Sequence, residues 1–161
     1  MQERLDKLDR AILALLQRDV SVSVAEVAEQ IGLSQSPCWR RIQRLEHEGF
    51  VQERVAVLDR RKLGLSLEVF VQLRFQRDTA DSLAKFEQAV RDSAEIVECH
   101  MLMGDIDFML RVVTRDVESY EQFLRNTLAI IPGVRDIRSM IALSAVKSGR
   151  SLPLYLDAAN A

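Results

Sequence analysis

The sequence predicts an α+β protein, an N-terminal helix-turn-helix followed by a ferredoxin-like βαββαβ sandwich. Three observations predict it. Residues 23–49 carry helix-start and turn signals in the order cap, turn, cap, stop. SLEVFVQLRF places Leu67, Val69, Val71, Leu73 and Phe75 on one face with a period of two. From there on, strand and helix signals follow in the order β-α-β-β-α-β.

The elements can be justified in order. Leu5, Leu8, Ile12, Leu15 and Leu16 repeat at helical spacing and predict a first helix over about residues 4–18. Ser23 followed by Glu26 is a capping box that opens a second helix. Gly32 supplies the sharp turn, because it has no Cβ to clash. Ser34 caps a third helix, Pro37 fits its first turn, and Gly49 stops it. Counting at 3.6 residues per turn puts Cys38, Ile42 and Leu45 on the buried stripe of that helix. Ser36, Arg40, Gln43 and His47 lie opposite, with Trp39 and Arg44 on the flanks.

FVQERVAVLD then reads as a short wing or linker strand over residues 51–64, punctuated by Arg60, Arg61, Lys62 and Gly64. The second half, residues 65–150, opens with the strand containing Phe70. A helix over 81–92 follows, with Leu83, Phe86 and Val90 on its inner face. IVECHMLM is a second strand, GDID a turn and FMLRVVT a third strand. Asp116 caps a longer helix that buries Tyr120, Phe123, Leu124, Leu128 and Ile131 and ends at Pro132-Gly133. VRDIRSMIALSAV is the fourth strand, and residues 151–161 form a tail. With both helices on one side of the sheet, the other side is open. It carries Phe70 and one face each of FMLRVVT and SMIAL, and all methionines but Met1 fall in predicted strands. A partly apolar sheet face open to water is an association site.

Composition bounds the function. In 161 residues, 48% are apolar and 29% charged, values of a globular protein. There is no run long enough to span a membrane and no signal-peptide core, and Cys38 and Cys99 read as small core residues; a reducing cytoplasm fits. The net charge of −2, with nine Lys/Arg against ten Asp/Glu in residues 1–60, gives no overall pull on nucleic acid. Arg40, Arg41 and Arg44 nonetheless cluster on the third helix. Screening beyond about 8–10 Å makes such local charge the relevant quantity. Arg and Gln suit base edges in a major groove, so the third helix is the candidate reader of double-stranded DNA. Two linked copies would bind far better than one.

LDKLDRAILALLQRD, SQSPCWRRIQRLEHEGFV, AVLDRRKLG, VECHMLMGDIDFMLRV and IPGVRDIRS, in that order and spacing, resemble the Lrp/AsnC family. The resemblance implies a winged helix-turn-helix with an amino-acid-sensing ferredoxin-like domain. It also implies dimers joined through the sheet, often assembled into octamers, that regulate genes of amino-acid metabolism. Carried over position by position, the DNA-contacting set is Ser34, Gln35, Ser36, Trp39, Arg40, Arg41, Gln43 and Arg44. Of these, Arg40 and Gln43 are expected on bases, and Arg41 and Arg44 on phosphates, with pairing to Glu48 or a neighbouring helix as the alternative for Arg41, which sits nearer the buried stripe. The effector set is Met101, Gly104, Asp105, Asp107, Met140, Ile141 and Ala142, with Asp107 as the ammonium partner. Met140 stands where the leucine-responsive member has an aromatic residue. The expected effector is a small or medium apolar or sulfur-containing amino acid, held where dimers meet.

Some proteins of this architecture are sirohaem decarboxylases. The chain offers that chemistry only His47 and His100, with no catalytic triad, metal-ligand cluster or phosphate loop. The expectation is a regulator without catalytic residues, metal or cofactor, bound to near-palindromic DNA.

Overall fold

The computed structural model describes residues 5–76, 81–149 and 151–154. Its first helix, α1 (Lys7–Arg18), opens on a capping box in which Asp6 and Asp9 each accept the other's backbone N–H. α2 (Val24–Ile31) is capped by Ser23 and Glu26 as expected, and Gly32 closes it at φ +71°. α3 (Gln35–His47) follows directly, with Ser34 in the cap position but without a side-chain capping bond. Ile12, Leu16, Val27, Ala28, Cys38, Ile42 and Leu45 form one core under the three helices.

Two expectations change here. Residues 51–64 contain no strand; a strand needs a hydrogen-bonded neighbour, and this segment has none among the described residues. Val55, Val57 and Leu58 are exposed along it. Of the stretch expected as a separate tail, residues 151–161, the described residues 151–154 group instead with the helical unit, as do residues 147–149 before them. There the Gln17 side chain satisfies both backbone groups of Leu152, at 3.2 and 2.9 Å. The first four residues, Arg150 and the tail beyond residue 154 lie outside the described residues.

The second unit, Leu58–Val146, holds β1 (Leu67–Phe75), α4 (Ser82–Asp92), β2 (Ile96–Met101), β3 (Phe108–Thr114), α5 (Val117–Asn126) and β4 (Val134–Ile141). The four strands are antiparallel in the order β2-β3-β1-β4. Val69, Val71, Leu73, Leu110 and Val112 face Phe86 of α4 and Tyr120 and Phe123 of α5, so both helices cover one side. Burying these side chains supplies the main drive for this unit.

α5 is shorter than its periodicity predicts. Thr127 leaves the helix, and a 3-10 turn at Leu128–Ile130 carries Leu128 into the core. Ile131 is extended, as a residue before proline prefers. β2 ends at Met101, which leaves Met103 outside the sheet and fully exposed. β4 ends at Ile141; only Ala142 extends the pairing, donating to the Glu68 carbonyl at 2.9 Å. Among the described residues no helix is long and apolar enough to cross a membrane.

Candidate nucleic-acid interface and effector cleft

α3 separates its faces as counted. Cys38, Ile42 and Leu45 are buried, while Ser34, Gln35, Ser36, Trp39, Arg40, Gln43 and His47 are exposed. Arg40 has no partner among the described residues, and Trp39 is 52% exposed. Gln43 donates to Glu46 at 3.1 Å, and Glu46 also holds Arg54. The hydroxyl of Ser34 is not consumed by its own helix.

Arg41 and Arg44 are differently placed. Arg41 Nη1 lies 2.7 Å from both Asp6 Oδ2 and Asp9 Oδ1, and Arg44 Nη2 lies 2.6 Å from Asp9 Oδ2. Arg44 Nε also faces Glu48 at 3.7 Å. The Asp6 carboxyl is held below the usual carboxylate range, first by the Asp9 N–H and then by Arg41. Two carboxylates of α1 and its cap, Asp6 and Asp9, are therefore paired with two of the three arginines of α3, and Arg40 is left out of the set. Asp9 is 1% exposed. The clue in the sequence was its position, three residues before Ile12 and seven before Leu16, on the apolar stripe of α1.

The effector residues divide into two groups. Met101, at the end of β2, and Asp107, at the start of β3, border a cleft of about 100 Å³ with Phe75, Leu83, Leu102 and Phe108. Asp107 lies against the C-terminal end of β1: its Oδ2 accepts the Phe75 N–H at 2.8 Å, and its own N–H donates to the Leu73 carbonyl. Gly104 and Asp105 form the exposed turn between these strands, where nothing lies within 4 Å of the place a Gly104 Cβ would take. The Asp105 carbonyl accepts Arg74 Nε at 3.1 Å.

Met140, Ile141 and Ala142 are elsewhere. β4 occupies the opposite edge of the sheet from β2. Met140 pairs with Phe70, on the open face, and Ile141 pairs with Val69, on the helix face. One chain does not gather the seven residues into one cavity. The cleft is also well below the ~300 Å³ at which ligand pockets commonly begin.

Pairing of Arg41 with a neighbouring helix is the alternative the sequence offers; missed are Asp6 and Asp9 as the partners and Arg44's share in them, the four apolar residues of the cleft, and an ion-pair chain on the open sheet face. There Arg111 bridges Glu68 at 3.0 Å and Glu98 at 2.7 Å, while Arg60 holds Glu68 from its other side at 3.2 Å. The hydrogen bond from Arg111 lowers the Glu98 carboxyl. Phe70 and Met140 flank this chain as exposed apolar groups, so the open face is mixed in character. Cys38 is buried and Cys99 half-buried, and burial pushes both thiols up.

Comparison with known proteins agrees with this architecture. Residues 5–46 match the AsnC-type helix-turn-helix domain, and residues 68–152 match the Lrp/AsnC ligand binding domain. The chain is 41% identical over 150 residues to the Bkd operon transcriptional regulator of Pseudomonas aeruginosa, covering 93% of this chain and 98% of that protein. It is 39% identical over 148 residues to the leucine-responsive regulatory protein of Escherichia coli K12, covering 92% and 90%. Among solved structures, the complex of a Neisseria meningitidis transcriptional regulator with L-methionine superposes with a TM-score of 0.90 at 33% identity, covering 94% of this chain and 97% of that one. An AsnC family transcriptional regulator from Agrobacterium tumefaciens gives 0.89 at 39% identity, covering 95% and 99%. With its helix-turn-helix and its four-stranded ligand-binding unit each matched, this chain belongs to the Lrp/AsnC family of transcriptional regulators.

Proposed function

We propose that this regulator reads near-palindromic double-stranded DNA with α3, as a homodimer or a larger assembly such as an octamer, in the cytoplasm. It acts on genes of amino-acid metabolism, it is not an enzyme, and a small amino acid tunes it. One observation carries the DNA assignment: Arg40 is exposed and unpaired among the described residues, on the same face as Ser36 and Gln43 and opposite the buried stripe of α3. Arg40 is the base-reading cation and Gln43 its neighbour on the groove side. Ser34, Gln35 and Trp39 lie at or beside the N-terminal turn of the helix, where free N–H groups and a spare hydroxyl suit a phosphate.

The effector reading rests on what a free amino acid demands once water is excluded. Its ammonium needs a carboxylate, its carboxylate needs N–H donors, and its side chain needs an apolar wall. Asp107, with Asp105 second, answers the first; the backbone around Gly104 answers the second; Met101 and its apolar neighbours answer the third. Met140, Ile141 and Ala142 lie about three strand spacings away, roughly 14 Å across the sheet. They join the site only from a second copy, which is why the ligand belongs where copies meet. The methionine bound to the Neisseria relative supports an apolar or sulfur-containing ligand.

Two measurements test this. Selection of duplexes from a random pool should return half-sites about 10–10.5 bp apart, or a multiple of that spacing. A thermal-shift screen of the twenty amino acids should single out one or a few apolar or sulfur-containing ones. A monomer by light scattering at micromolar concentration would overturn the assembly reading. An absorption band shifted on titration with sirohaem would overturn the non-enzyme reading.

A further inference from the structure

Asp9 is the most buried carboxylate among the described residues of the helical unit, and its side-chain contacts with them run to α3 or to its own cap. Oδ1 accepts from Arg41 at 2.7 Å; Oδ2 lies 2.6 Å from Arg44 Nη2 in an ion pair and accepts the Asp6 N–H at 3.1 Å. Asp6 completes the set by accepting Arg41 on its second oxygen at 2.7 Å. Two carboxylates on the first turn of α1 thus meet two guanidinium groups one turn apart on α3, and the four side chains sum to zero charge.

This arrangement is not needed merely to attach the helices. Ile12 and Leu16 already pack with Ile42 and Leu45 in one core. Replacing buried ion pairs by apolar side chains is often neutral or stabilising, so attachment alone gives no reason for charge at this place. What an ionic set adds to apolar packing is direction. Apolar contacts tolerate sliding, whereas charge-assisted hydrogen bonds accept a narrow range of distances and angles. A second effect is electrostatic. Arg41 and Arg44 stand beside Arg40 on the helix taken to enter the groove, yet their charge is answered within the protein. Being partly buried, the pairing is screened by salt less than an exposed contact to phosphate would be.

We propose that Asp9, supported by Asp6, is a positioning residue for DNA reading: it holds Arg41 and Arg44 against α1, sets the register of α3, and keeps two cations from attracting DNA of any sequence. Arg41 and Arg44 are then inward-facing struts, and specificity rests on the exposed Arg40 and Gln43. The proposal builds on the assignment of α3 as the reading helix.

The test is equilibrium binding of the full chain across a salt series. The probes are a duplex selected from a random pool by the wild-type protein and an unselected duplex of the same length. Arg44→Gln should weaken binding to the selected duplex about tenfold, the size of one good base contact. It should leave the salt slope on the unselected duplex unchanged. Asp9→Asn should strengthen binding to the unselected duplex and steepen its salt slope by about 0.9 for each cation released. It should also shrink the ratio of selected to unselected affinity by roughly tenfold. If Asp9→Asn loses its helical circular-dichroism signal, the half-exposed Asp6→Asn, which loosens Arg41 alone, should move slope and ratio in the same direction by a smaller amount, and no movement in either would overturn the proposal. A drop of about 0.9 in the slope on both duplexes with Arg44→Gln would make Arg44 a phosphate contact and overturn the proposal. So would an Asp9→Asn protein with unchanged slope and ratio. Failure of the parent reading looks different: Arg40→Ala would then bind the selected duplex as wild type does, whatever the slopes on the unselected one.

Discussion

Met101 and Met140 stand on opposite edges of the four-stranded sheet, on β2 and β4, with β3 and β1 between them. The strand row of Met101 runs through Phe108 and Leu73 to Ile137, whereas Met140 shares a row with Phe70 and Arg111. A ligand small enough to be one amino acid cannot touch both in a single chain. A site that uses both methionines therefore needs two copies of the chain. A variant that stays monomeric should lose the ligand response even with every one of these side chains intact.

The charge of Asp107 can be separated from its structural bond. Asp107→Ala removes both the carboxylate and the acceptor for the Phe75 N–H. Asp107→Asn keeps an acceptor and removes the charge. At a ligand concentration about 100 times its dissociation constant, the wild type should gain roughly 2.7 kcal/mol of stability. Asp107→Asn should lose most of that gain while binding DNA normally without effector. A full thermal response in this variant would place the ammonium elsewhere.

Arg40→Ala should cost about 1–3 kcal/mol on the selected site and relax preference at one base pair. Its folding should be unaffected, because the side chain is exposed and unpaired among the described residues. Trp39 fluorescence offers the readout, since the ring is exposed on the same helix. Equal losses on selected and random DNA would assign Arg40 to phosphate.

Gly133 sits at φ +92°, where a Cβ would come within 2.6 Å of the Phe75 ring and 2.8 Å of the Gln76 carbonyl oxygen. Its own carbonyl accepts the Gln76 N–H at 2.8 Å, so the backbone cannot retreat without losing a bond. Gly133→Ala should destabilise the sheet unit by about 1–3 kcal/mol. Denaturant midpoints would show it; a change under about 0.5 kcal/mol would mean the turn relaxes freely.

Acid should weaken both units through depressed carboxylates. The Asp9 N–H and Arg41 lower Asp6, the Ser23 hydroxyl and N–H lower Glu26, and Arg111 lowers Glu98. A group whose folded pKa is depressed contributes stability above its unfolded pKa and loses it as pH falls through the folded value. Thermal midpoints should therefore hold level from pH 7 to about 5 and fall below about pH 4. Asp6→Asn should make that fall shallower. An unchanged acid profile would show that Asp6 has the same pKa folded and unfolded.

The sequence by itself determined the features whose causes lie within a few residues of one another. Ser23 and Glu26 cap α2 because they are three apart, Gly32 turns the chain because of its own backbone freedom, and the strands show in their period of two. The buried stripe Cys38, Ile42 and Leu45 and the exposed Arg40 follow from helical spacing alone. The tertiary structure decided what depends on residues distant in the chain. Asp9 meets Arg41 and Arg44 across more than thirty residues, and no local pattern distinguishes a strut from a free cation. Strand order, set by which edges find partners, separated Met101 from Met140. The expected wing failed for the same reason, since residues 51–64 have strand-like side chains but no neighbouring strand among the described residues. Propensity is a property of a segment; pairing is a property of two.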